Sequence, residues 1–156
     1  MTVLEHVRAM SPERFLSLYQ SLEREGFGPL DGQVAQSLHF RPQAIRKLPM
    51  AQRAKRARMI IETSRNSDLA YELVGGYLLK TRKELVTGFL DATGVKHEQG
   101  MIEDVDGAKP APEKIAPALT ELDRKFPKED VTLYLALCVD QWPDVAEFGR
   151  ILAART

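Results

Sequence analysis

Apolar residues in this chain recur three and four positions apart from one end to the other, and runs alternating apolar with polar between tight-turn signals are nearly absent. That spacing lines up one face of a helix, whereas a half-buried strand needs a period of two. The pattern predicts an all-α fold, a helical bundle of about seven or eight helices. At 156 residues and 44% hydrophobic content, the chain is long enough to bury one core over residues 1–156 without disulfides or metal.

Local signals divide the chain. Ser11-Pro12 reads as a cap and first-turn proline for a helix with Phe15, Leu18, Tyr19 and Leu22 on one stripe and Gly26 as its stop, and a short helix with Val3, Leu4 and Val7 precedes it. Asp31 and Pro42 each open a short helix, the second ending before Pro49. From Met50, the positions Met50, Ala54, Ala57 and Ile61 share a face from which Arg53, Lys55 and Arg56 are excluded. Ser67 caps a helix that is apolar nearly all round, as a central helix should be. It contains Gly75-Gly76, at about 1 kcal/mol each relative to alanine, which predicts a close helix contact or a kink there. Thr81 and Glu84 have the capping-box spacing for the following helix, which Gly94 ends. Pro127 both ends a helix and opens the next, and Pro143 opens the last.

Residues 1–66 thus form an N-terminal group of helices with a basic subregion, 67–93 a first hairpin, 94–112 a glycine- and proline-bearing acidic connection, and 113–156 a second hairpin with a terminal helix. Aligning Lys80–Leu90 with Lys125–Leu135 matches Lys80/Lys125, Lys83/Lys128, Glu84/Glu129, Val86/Val131, Thr87/Thr132 and Leu90/Leu135, with Phe89 opposite Tyr134. The offset of 45 residues lies in the range of two-helix repeats and predicts two related hairpins in a closed bundle.

Cys138 is the only cysteine, which excludes an internal disulfide and a multi-thiolate zinc site and suits a reducing, cytoplasmic setting. The first thirty residues carry several glutamates and no apolar core of a secretion signal, and the longest apolar stretch, around Leu69–Leu79, is too short to span a bilayer. No membrane association is expected.

Charge is balanced at 22 Lys plus Arg against 22 Asp plus Glu, but it is not evenly spread. Residues 1–90 hold 14 bases and 9 acids, and residues 91–156 hold 8 and 13, so the two parts carry +5 and −5. Between Gly32 and Ile61, Arg41, Arg46, Lys47, Arg53, Lys55, Arg56 and Arg58 occur without one acid, while Glu98, Glu103, Asp104 and Asp106 cluster in the connection. The basic face of Arg41, Gln43, Arg46, Lys47, Arg53 and Arg56 is the candidate binding surface. It either pairs with the acidic connection, within one molecule or across a symmetric dimer, or recognises another molecule.

Val34, Ala35, Leu38, Phe40, Ile45 and Leu48 fall where a DNA-binding helix-turn-helix has its apolar positions, so residues 31–49 resemble a module of the lac-repressor type. That resemblance implies that Arg41, Gln43, Ala44, Arg46 and Lys47 face a major groove, arginine reading guanine and glutamine adenine. The segment departs from the pattern at His39, where a turn glycine is usual, and Pro49 cuts the second helix to about two turns.

No phosphate-binding glycine loop, HExxH or nucleophile-elbow pattern occurs. The candidate metal or acid–base residues are His97, Glu98, Asp104 and Asp106 on the connection, at a spacing that matches no metal motif. His6 and His39 read as surface or capping residues, Cys138 as a small buried hydrophobe, Trp142 as a plug at the bundle end, and Tyr71, Tyr77 and Tyr134 as buried rings. The residues therefore predict a non-enzymatic helical interaction protein with no cofactor, whose basic face binds an acidic protein partner or a second copy. A DNA-binding regulator is the runner-up and a metal-using enzyme the third reading.

Overall fold

The computed structural model describes residues 2–25, 47–65, 67–104 and 107–155. Among the described residues the chain forms eight helices and no strand: α1 (Val3–Ala9), α2 (Pro12–Arg24), α3 (Met50–Thr63), α4 (Asp68–Thr81), α5 (Lys83–Thr93), α6 (Pro112–Lys125), α7 (Lys128–Gln141) and α8 (Ala146–Arg155). The all-α helical bundle read from the apolar spacing is the observed architecture.

The helix most apolar by sequence, α4, is central and packs against α1, α2, α5 and α7. Helix α7 is its counterpart, touching α1, α4, α6 and α8, while α3 lies at the margin on α1 and α2. Buried side chains from all eight helices join one apolar cluster. Trp142 closes part of it, fully buried with its ring stacked on Phe148 at 5.8 Å.

Helix ends follow local chemistry. The Ser11 hydroxyl accepts the Arg14 N–H at 3.1 Å, Gly94 ends α5 in the left-handed region at φ 77°, and Pro127 stands between α6 and α7. At Thr2 a capping box forms with Glu5 that the sequence reading did not single out.

Four local expectations are corrected. Thr81 is the last residue of α4 and its hydroxyl donates to the Tyr77 carbonyl at 2.6 Å, so it forms no capping box with Glu84. Ser67 occupies the cap position of α4 without a side-chain hydrogen bond. Pro143 begins a turn rather than a helix, because the Trp142 N–H still closes α7 on Cys138 and α8 starts only at Ala146. Helix α4 runs unbroken through Gly75, and a Cβ built there would meet nothing within 4 Å, so neither a break nor a tight contact explains that glycine.

The second helices of the two hairpins keep the aligned register, while the first helices, ending at Thr81 and Lys125, are one residue off it. Helices α5 and α7 begin at Lys83 and Lys128, at the 45-residue offset of the alignment. The aligned aromatics Phe89 and Tyr134 meet edge to face, with ring centroids 5.2 Å apart.

Candidate functional site

The proposed basic face proves to be several different things. Arg41, Gln43 and Arg46, with His39 and the helix-turn-helix-like segment through Arg46, lie outside the described residues. Lys47 is exposed in the turn before α3, Lys55 is exposed on α3, and Arg56 is half-exposed beside it. Arg53 is a correction: it is buried, donating to Glu23 at 2.7 Å and to the Leu48 carbonyl. Position 53 adjoins Ala54 and shares its face with Ala57 and Ile61, so it points inward, and the guanidinium satisfies a carboxylate and a carbonyl that the packing leaves at the α2–α3 seam. Arg58 is also committed. It pairs with Glu62 at 2.7 Å, donates to the carbonyls of Arg8 and Met10 at the end of α1, and lies over the Phe15 ring. Cations that complete carbonyls at a helix C-terminus serve the fold.

Between α2 and α3 runs a groove of about 450 Å³. Pro12, Phe15, Leu16 and Ala54 give it an apolar wall, and Lys55, Arg58 and Glu62 border it. Met59, also on its wall, is 45% exposed.

The acidic connection is held against the hairpins. Glu98 and Met101 exchange backbone hydrogen bonds of 2.8 and 2.9 Å around Gln99 and Gly100, both at positive φ. The His97 Nδ1 accepts the Gly100 N–H at 3.0 Å, which leaves the ring proton on Nε2, 2.7 Å from the Asp91 carboxylate. Both ring nitrogens are thus occupied in anchoring the turn to α5. Asp104 receives the Gly107 N–H at 2.9 Å in a local turn, Glu98 is exposed, and Asp106 lies outside the described residues. Among the described residues no three His, Cys, Asp or Glu side chains are placed to hold a metal.

One buried carboxylate with three donors was not foreseen from the sequence. Asp130, 2% exposed on the first turn of α7, accepts Arg14 from α2, the Tyr77 hydroxyl from α4 at 2.9 Å and Arg82 from the α4–α5 junction at 2.8 Å. Burial pushes this carboxyl up, but the hydrogen bonds from Arg82, Arg14 and Tyr77 outweigh it and hold it below the usual carboxylate range. A signal was present in the repeat, where Asp130 aligns with the buried Leu85 of the other hairpin.

Beside this cluster is a hollow of about 580 Å³ with His6, Arg14, Lys128 and Arg155 on its wall. Arg155 is bound to both oxygens of Asp123 at 2.8 Å. His6 is half-buried rather than a surface residue; its Nδ1 is buried with no hydrogen-bond partner among the described residues, and burial first and the Arg14 charge second push its pKa down. Cys138 is fully buried, which pushes its thiol far up against a hydrogen bond with Tyr134, so it is no ready nucleophile.

No family model, curated protein or solved structure matches this chain. Among the described residues no helix is long and apolar enough to cross a membrane.

Proposed function

We propose that this chain is a non-enzymatic helical interaction protein that holds an acidic, partly apolar segment of a protein partner against α2 and α3. The observation that carries the reading is the groove with an apolar wall of Phe15, Leu16 and Ala54, bordered by Lys55 and edged by the exposed Met59. An exposed methionine adapts to varied partners, and an apolar strip with a cationic rim is the complement of an amphipathic acidic helix. Exposed Lys47 in the turn before α3 and half-exposed Arg56 on it add positive charge to this element, whereas Arg53 and Arg58 are paired with Glu23 and Glu62. A second copy is one source of such a segment, since the connection presents exposed Glu98, Glu103 and Asp104.

Fluorescence anisotropy with a labelled Glu/Leu amphipathic peptide and with random duplex DNA, at low and high salt, tests the reading, alongside light scattering for self-association. The peptide binds, and K55E combined with M59E weakens it about tenfold or more while circular dichroism stays unchanged. Preferential binding of duplex with a steep salt slope would overturn the proposal in favour of nucleic acid. Absence of peptide binding and of self-association at low ionic strength would overturn it outright.

A further inference from the structure

The glycine at position 75 sits where neither backbone nor packing requires one. Its backbone is helical within α4, and a Cβ would meet nothing within 4 Å. Mid-helix glycine is costly and alanine would fit, so the effect of glycine there is to leave a notch in the Tyr71–Gly75–Leu79 stripe. That notch opens into a cavity of about 220 Å³ between α4, α5 and α7, with Val86 and Leu90 on one wall and Tyr134 and Leu137 on another. Among the described residues no charged side chain lines it; the Gln141 amide and the Tyr71 and Tyr134 phenols are the polar side chains on its wall.

The 98–101 turn covers one side. Gly100 presses on Leu79 so closely that a Cβ would stand 2.9 Å from its Cδ2, and its φ of 90° also favours glycine. His97 to Asp91 at 2.7 Å and Lys83 to Gln99 at 2.8 Å pin the turn to α5. Met101, on the cavity wall, is nevertheless 60% exposed, the most exposed large hydrophobic among the described residues. A tightly held turn thus leaves a flexible thioether beside an uncharged cavity.

We propose that this cavity is a binding site for a small uncharged molecule of one or two aromatic rings, with at most one hydrogen-bonding group. The size decides the class: an apolar cavity of about 150 Å³ already admits benzene, and one somewhat larger holds an indole or phenol. The neutral walls exclude phosphates, carboxylates and ammonium groups, whose desolvation nothing there would offset. The site is separate from the α2–α3 groove and does not depend on that reading.

The test uses the whole chain with toluene, phenol and indole as probes, read by methyl chemical-shift changes at Leu79, Val86 and Leu90 and by thermal shift. At least one probe shifts those methyls saturably and raises Tm. Gly75→Leu, which fills the notch, loses at least tenfold in probe affinity without losing helicity. Gly75→Ala covers the case in which leucine prevents folding: it raises the ligand-free Tm by about 2–4 °C and weakens the probe. No saturable shift from any probe, binding left unchanged by filling the notch, or a lowered Tm for Gly75→Ala would each overturn the assignment.

Discussion

A carboxylate with three donors is the residue on which the interior is most exacting. Asp130 takes two guanidinium groups and a phenol, so removing its charge strands Arg14 and Arg82 beside a buried neutral group. Breaking such a pair from one side costs about 3–5 kcal/mol. D130N should therefore lower the urea midpoint strongly without changing the slope, and a loss under 1 kcal/mol would contradict the burial argument. Because its folded pKa lies below the ordinary 3.8, Asp130 contributes stability that is present above 3.8 and is lost as pH falls through the depressed value. His6 acts in a higher window. Its folded pKa lies below 6.5, so as pH falls from 6.5 toward that value the unfolded chain takes up a proton the native one resists, and stability declines. Denaturant midpoints of H6Q should lack this decline while keeping the acid limb that belongs to Asp130. An identical pH profile for H6Q and wild type would exclude the assignment.

At the level of elements, the sequence was readable wherever a single period or a single breaker decided the outcome. The stripe Phe15, Leu18, Tyr19 and Leu22 is buried as its spacing predicts, and Gly94 and Pro127 end helices where their backbone preferences dictate. What the pattern could not supply was which of two compatible partners a polar group takes. Thr81 suited either a cap or a bond back to Tyr77, and the helix it terminates claimed it. Arg53 had the composition of a surface residue, but Glu23, thirty positions away, made its inward placement tolerable. The same blindness to distant partners hid Asp130, although its alignment with Leu85 marked it as a polar residue at a core position. One element earns a direct test. Gly100 holds φ 90° in the turn that His97 anchors, so G100A should cost about 1–3 kcal/mol and speed amide exchange at Met101. Unchanged exchange there would show that the turn does not depend on that conformation.

At the scale of the molecule, the sequence divides into +5 and −5 parts, and the described residues show charge from both parts left in solvent. Arg53 and Arg58 of α3 turn to Glu23, Glu62 and backbone carbonyls, whereas Lys55 faces solvent; the connection leans on the hairpins and keeps Glu98, Glu103 and Asp104 in solvent. Neutral overall charge therefore coexists with separated fields, which makes any association through them sensitive to salt over a Debye length of about 8–10 Å. The two hairpins carry a different lesson. Phe89 and Tyr134 occupy equivalent sites and touch each other, and one turn beyond them lie the equivalent residues Thr93 and Cys138, both buried. A hydroxyl moved from ring 134 to ring 89 would have Thr93 one helical turn on, where it formerly had Cys138. The pair F89Y/Y134F should then be more stable than F89Y alone, because F89Y alone crowds a second hydroxyl into the core, and thermal melts would decide it. The core is in this sense interchangeable across its middle: what one hairpin loses at that contact, the other is already shaped to receive.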